Sequence, residues 1–192
     1  MGVYMFSRTS IFRAFLTFAI FFSALGAFSI SAQAQAKITG NFEVIGKLPE
    51  PNSLSEVKFE EFLNFTCPHC NNFRNLSKDL FKRYGKKLKH VNNPILFRGQ
   101  NDMALRLFFL AQKDGREEEM KEMIFDASFV FGVNIYDPAT IDFLARSAGM
   151  GDRYKKNGGD AWVTEKITDA EFRAKEAGIM STPPLCWRVP SK

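Results

Sequence analysis

Of the 192 residues, only three are cysteine, two histidine and two tryptophan. That scarcity excludes a good deal. A structural zinc site needs four ligands, and beyond Cys67 and Cys70 the chain offers only Cys186, His69 and His90, with no second C-x-x-C. No metal is therefore expected. No basic stripe interleaved with aromatics accompanies the formal net charge of +5, so no nucleic-acid partner is expected either. Arg8 and Arg13 belong to an N-terminal leader, which leaves about +3 for the remainder. The run KKLK at 86–89 reads as the solvated end of a helix and its loop. Internal repeats, low-complexity tracts and long linkers are also missing. The length then corresponds to one compact domain, or to a small domain carrying an insertion.

Phenylalanine is abundant where the other residues are scarce. There are 21, and positions 6, 12, 15, 18, 21 and 22 fall at the very start of the chain. Arg8 and Arg13 precede AFLTFAIFFSALGAFSI, and SAQAQA then supplies two overlapping small-x-small sites, Ala32/Ala34 and Ala34/Ala36. A positive start, an apolar middle and small residues at the cut make 1–36 a secretory signal peptide. The alternative is an uncleaved anchor, since no charge interrupts 14–36 and that length can span a bilayer. The A-x-A sites favour cleavage, so the mature chain starts near Gln35 or Lys37. It then works outside the cytoplasm, where disulfides persist.

In the mature part, NFEVI (41–45) can form a short strand. VKFEEFLNF (57–65) starts with alternation and then turns apolar on both faces, the pattern of a strand covered on both sides in an α/β sheet. Phe73, Leu76, Leu80 and Tyr84 recur at helical spacing up to a stop at Gly85. KHVNNPILF is a second strand, with Pro94 demoting part of it to an edge or a bend. A helical block follows. Asn101 and Asp102 cap a helix through about 112, a charged helix covers 116–127, and Asp137 with Pro138 starts another that Gly149 ends. After a loop KKNGGD comes a last helix over about 160–177, closed by Gly178.

The stretch NFTCPHCNNF holds the cysteine pair. A c-type haem needs histidine after the second cysteine, and Asn71 stands there. A purely structural bridge between cysteines three apart closes a tiny loop and stabilises little, although it stays open as a reading. Redox exchange is favoured. Cys67 falls between a strand and a helix, with Pro68 at the first helical position, where a missing N–H costs nothing. Its sulfur then meets unpaired backbone N–H groups and the positive end of the helix dipole, which favour the thiolate. His69 can donate to that thiolate or carry charge beside it, and Cys70, one turn in, is the more buried resolving partner. A stabilised Cys67 thiolate is a good leaving group, so the pair reads as an oxidant more than a reductant.

EFLNFTCPHC resembles the active-site strand and helix start of DsbA-type thiol:disulfide interchange proteins, and DPATIDFLARSAGM and GIMSTPP resemble two later parts of them. The resemblance covers roughly 42–185. It implies a thioredoxin-like α/β fold over 37–192, with a helical insertion at about 101–157, and a periplasmic enzyme that introduces disulfides into other proteins. Pro183 is implied to be the cis-proline and Thr182 its predecessor, lying against the disulfide and pairing with an extended substrate segment. Glu61, six residues before Cys67, matches the family's buried acid beneath the resolving cysteine, implying a proton relay for Cys70; an ordinary strand glutamate is the alternative. The implied partners are reduced or unfolded secreted proteins and a quinone-linked membrane reoxidant, with no cofactor.

The sequence also departs from the pattern. Nine residues follow Pro183, where the family continues with a strand pair and a closing helix, and Pro184 and Cys186 have no counterpart. A truncated or frameshifted reading frame is one expectation and a divergent functional variant another. The competing functions are a disulfide isomerase or reductase, and an inactive remnant acting at most as a binding module.

Overall fold

The computed structural model describes residues 57–179 and the backbone of 185–188. The leader, the strand expected at 41–45, Thr182 and Pro183 lie outside the described residues. Strand β1 (Val57–Leu63) is the middle of a three-stranded sheet in the order β2-β1-β3. It runs parallel to β2 (Leu88–Pro94) and antiparallel to β3 (Leu185–Arg188). A parallel neighbour requires a crossover, and helix α1 (Pro68–Tyr84) with a 3-10 turn at Gly85–Lys87 provides it. Gly85 stops α1 as expected, at φ 52°, a left-handed value that glycine tolerates. Pro94 closes β2 opposite Leu63, and the chain keeps contact for one more residue through the Ile95 N–H to Leu63 carbonyl bond (2.8 Å). The strand expected to reach residue 97 therefore ends at its proline.

Both faces of β1 are covered, as its apolar run predicts. Phe59 packs against Phe73 and Phe81 of α1, with ring centroids 6.2 Å from each. Phe62, on the other face, packs with Ile95 and Ala174. Among the described residues, five helices lie between β2 and β3: α2 (Met103–Lys113), α3 (Glu117–Phe129), α4 (Pro138–Ser147), α5 (Gly151–Asn157) and α6 (Ala161–Glu176). Helix α2 is buried over most of its length, including Leu105 and the run from Leu107 to Ala111, and forms the centre of this block. Helix α6 has two tasks. Val163, Ile167 and Ala170 face the helical core, while Ala174 reaches the sheet.

Asp137 caps α4 by accepting from the Ala139 N–H (3.4 Å). Asp102 occupies the corresponding place before α2 without a side-chain cap bond; its carboxylate holds Arg106 at 2.7 Å instead. The KKNGGD loop is shorter than expected, because Lys155, Lys156 and Asn157 belong to α5. Buried Met150 and Tyr154, whose hydroxyl donates to the Met103 carbonyl (3.4 Å), anchor this short helix to the core. Gly158 is its C-cap, donating its N–H to the Tyr154 carbonyl (2.8 Å), and a Cβ there would lie 2.6 Å from that oxygen.

The seam between the sheet and the helical block is aromatic. Phe65 meets Phe108 at 5.7 Å and Phe125 at 5.1 Å, and all three rings are buried. Phe125→Ala is expected to cost about 3–5 kcal/mol through the cavity it leaves. Phe131→Ala, at a ring 73% exposed, should stay within about 0.5 kcal/mol. Urea denaturation of both variants measures the difference, and equal losses would contradict this placement of the core.

Candidate active site

Cys67 is the N-cap of α1, with extended φ −86° and ψ 116°, and Pro68 follows as the first helical residue. The Cys70 backbone N–H donates to the Cys67 sulfur at 3.4 Å. A helix N-terminus leaves such N–H groups unsatisfied, so the sulfur takes the place usually held by a serine or aspartate oxygen. The first turn contains no acidic residue to compete for the positive end of the dipole. Cys67 is 8% exposed and Cys70 fully buried, while Pro68 and His69 face solvent.

The turn into Cys67 is held by a polar knot. Its N–H donates to the Asn64 carbonyl (3.0 Å), and buried Asn64 donates through Nδ2 to the Ile95 carbonyl (2.9 Å) and Gln100 Oε1 (2.7 Å). Asn64 Oδ1 accepts both the N–H and the hydroxyl of Thr66, at 3.0 and 2.8 Å. Thr66 Oγ1 in turn receives Gln100 Nε2 (3.1 Å) and lies 3.1 Å from the Tyr136 hydroxyl. Burial pushes the Tyr136 hydroxyl above its ordinary value, against the lowering effect of the Thr66 bond, so it remains a donor. Behind the cysteines, Arg74 of α1 clamps the helix to α3. Its Nη1 donates to Glu122 Oε2 (2.8 Å) and Asp126 Oδ1 (2.9 Å), with the guanidinium 5.2 Å over Phe125.

Glu61 is fully buried. Alternation along β1 puts it on the face shared by Phe59, which packs on α1, and Leu63, which packs in the cluster containing Cys67 and Cys70. Its Oε2 accepts from Lys121 Nζ (3.0 Å) and from His90 Nε2 (2.9 Å). Lys121 is itself 1% exposed and donates a second bond to Asn92 Oδ1 (2.7 Å); Asn92 Nδ2 passes on to Glu117 (2.6 Å) and Glu118 (3.0 Å). Glu61 Oε1 has no hydrogen-bond partner among the described residues. Burial alone pushes the Glu61 carboxyl up, but the His90 bond and the charge and hydrogen bond of Lys121 outweigh it and hold the carboxyl below its ordinary 4.5. The adjacent Glu60 is buried on the opposite face against Lys58 Nζ (2.6 Å) and the Arg173 guanidinium.

The structure thus brings Glu61, Cys67, Pro68, His69 and Cys70 onto one strand-turn-helix unit. Sequence reasoning had no place for Lys121, His90, Asn64, Thr66, Gln100 or Tyr136 in this site. Only Asn64, a polar residue between Leu63 and Phe65, carries a local signal. Lys121 is hidden in the charged run EEEMKEM.

The charge pair has a thermodynamic signature. The folded state lowers the Glu61 pKa, so this carboxylate contributes stability above its unfolded value, and the contribution is lost as pH falls below about 5 through the folded value. Lys121→Met should cost about 3–5 kcal/mol at neutral pH, because it leaves a buried carboxylate without its cation. It should also flatten the acid loss of stability. Urea midpoints for both proteins over a pH series test this; parallel curves would exclude Lys121 as the partner that matters.

The thioredoxin family model matches residues 51–186. A thiol:disulfide interchange protein DsbA from Burkholderia cepacia is 31% identical over 126 residues, which cover 64% of this chain. The chain spans 58% of that curated relative's length. Among solved structures, the oxidoreductase DsbA of Xylella fastidiosa superposes with a TM-score of 0.62 at 20% identity, covering 69% of this chain and 73% of its own. Pseudomonas aeruginosa DsbA gives 0.61 at 17% identity, covering 73% and 74%. At these identities the solved structures establish the fold, an α/β sheet with helices inserted between its strands. The family-model match, which covers more than half of the chain, shows that it belongs to the thioredoxin family, and the DsbA proteins are the members it is similar to.

Proposed function

We propose that this chain is a periplasmic thiol:disulfide oxidoreductase that introduces disulfide bonds into secreted proteins by exchange through Cys67 and Cys70. The observation that carries the reading is the seat of Cys67: its sulfur caps α1 and receives the Cys70 N–H. Backbone donors stabilise a thiolate there with no side-chain proton to lose, which makes Cys67 a good leaving group. The name of the Burkholderia relative supports the same chemistry.

In the proposed cycle a substrate thiolate attacks the Cys67 sulfur of the disulfide form. The bond to Cys70 breaks, and the electron pair departs with Cys70. A second substrate thiolate then attacks the substrate sulfur of the mixed disulfide and releases Cys67 as thiolate. The substrate is oxidised by two electrons and the cysteine pair is reduced. A quinone-linked membrane partner is the proposed reoxidant. His69 is exposed beside Cys67, so it meets the incoming substrate as well as the thiolate. Thr182 and Pro183 have the proposed task of pairing with the substrate segment.

Alkylation of the reduced protein from about pH 4 to about pH 8 should label Cys67 first and persist well into acid, where a free thiol is unreactive. Cys70→Ser should accumulate a mixed disulfide at Cys67 with a cysteine-containing peptide, and Cys67→Ser should form none. Equilibration of the wild type with glutathione then sets the direction. A readily reduced pair fits the oxidase, whereas a pair that glutathione cannot reduce points to a reductase.

A further inference from the structure

Exchange at Cys67 and Cys70 moves a proton at a sulfur with no exposure to water, so the proton needs a route. We propose that His90 is this route, linking the buried Glu61 carboxylate to solvent beside Glu118. The inference rests on the oxidoreductase reading and adds to it a residue on the far side of the carboxylate from the cysteines.

The geometry singles out His90 from every group that faces Glu61. From α3, Lys121 shares Glu61 Oε2, but it is 1% exposed and its other bond runs to Asn92. Asn92 reaches Glu117 and Glu118, yet an amide does not gain and lose protons near neutral pH, so that branch ends there. Phe59 and Phe73 supply only apolar surface. His90 has a second ring nitrogen. Nε2 lies 2.9 Å from Glu61 Oε2, and Nδ1 lies 3.7 Å from Glu118 Oε1. Exposure rises along this path: 0% for the Glu61 side chain, 11% for His90 and 61% for Glu118. The ring is held in place by stacking on Phe81 at 4.4 Å and by Phe59 at 5.5 Å. An imidazole that accepts at one nitrogen while donating at the other is suited to passing protons.

When a thiol attacks Cys67, the Cys67–Cys70 bond breaks and Cys70 leaves as a thiolate. A proton taken from solvent at Nδ1 is matched by one passed from Nε2 to Glu61. Glu61, ionised at rest, carries it only until the thiolate takes it from Oε1, the oxygen that has no other partner among the described residues. One proton enters for each Cys70 thiolate quenched. On reoxidation the Cys70 thiol loses that proton along the same path in reverse. The Lys121 bond to Oε2 favours the ionised carboxylate and so keeps Glu61 from retaining the proton.

Two substitutions separate conduction from support. His90→Gln keeps a hydrogen-bond donor to Glu61 but cannot relay a proton, and His90→Ala opens space for imidazole from the buffer. Stopped-flow reduction of the disulfide form by glutathione is expected to slow about a hundredfold in both. Added imidazole should restore much of the rate in His90→Ala and none in His90→Gln. A His90→Gln protein that reacts at the wild-type rate overturns the proposal, as does a slow His90→Ala protein that ignores imidazole. If His90→Ala does not fold, His90→Gln decides alone: slow exchange supports the relay and wild-type exchange overturns it. Absence of any exchange in the wild type would sink the oxidoreductase reading itself, an outcome distinct from either.

Discussion

The central strand buries two neighbouring carboxylates, Glu60 and Glu61, one on each face. An ionised carboxylate taken out of water is tolerated only against a cation and further donors. Each face therefore has its own. Glu60 meets Lys58 and Arg173, while Glu61 meets Lys121 and His90. Arg173 comes from α6 and Lys121 from α3, so the helical block supplies charge to both faces of the sheet. A one-residue slip of β1 would carry each carboxylate to the wrong face and turn Phe59 and Leu63 away from α1. Charge pairing and apolar packing thus specify the same register.

That register also sets the level of Glu61 relative to the cysteines. Phe59, Glu61 and Leu63 follow one another along the face that α1 covers, with Phe59 against Phe73 and Leu63 in the cluster with Cys67 and Cys70. Beyond Leu63 the strand stops because Asn64 turns its side chain into the knot with Thr66 and Gln100. Tyr136, 70 residues from Thr66, closes the knot from the helical block. Arg74 then pins the helix one turn past Cys70 to Glu122 and Asp126. The cysteine turn is fixed at its start by amide and hydroxyl bonds and at its far end by ion pairs. The ion-pair partners come from α3, while the amide and hydroxyl partners come from the turns after β1 and β2 and, through Tyr136, from the turn before α4.

What the sequence makes legible follows from how local each cause is. The strand at 57–63, the cap at Cys67 with Pro68 behind it, the stop at Gly85 and the Asp137–Pro138 start are local effects, readable from a few adjacent residues. Short α5 is harder, because the contacts of Tyr154 and Met150 rather than its own periodicity hold it. Lys121 is the least legible. In EEEMKEM it looks like one more solvated charge, and only the docking of α3 over β1 reveals a lysine 1% exposed. Glu61 is picked out by the resemblance to the DsbA-type family, but Glu60 beside it is just as buried, so burial does not distinguish the two. The difference lies in which face each one shares.

The two cysteines of the pair depend on different kinds of support. Cys67 is served by the Cys70 peptide N–H at a helix end, a fixed donor that does not titrate and that favours the thiolate. Cys70 lies deeper, among apolar side chains, where a thiolate is disfavoured and a proton must be available as it forms. The face of β1 that carries Leu63, packed with Cys70, also carries Glu61, bonded to His90 and Lys121. For an exchange protein this division is useful. In the proposed exchange, the sulfur that substrates attack keeps its leaving-group quality, while the proton change of the cycle is confined to the buried partner. The adjacent glutamates of β1 make that separation possible, because they force cations into the sheet's two faces and place one of those clusters behind Cys70's helix.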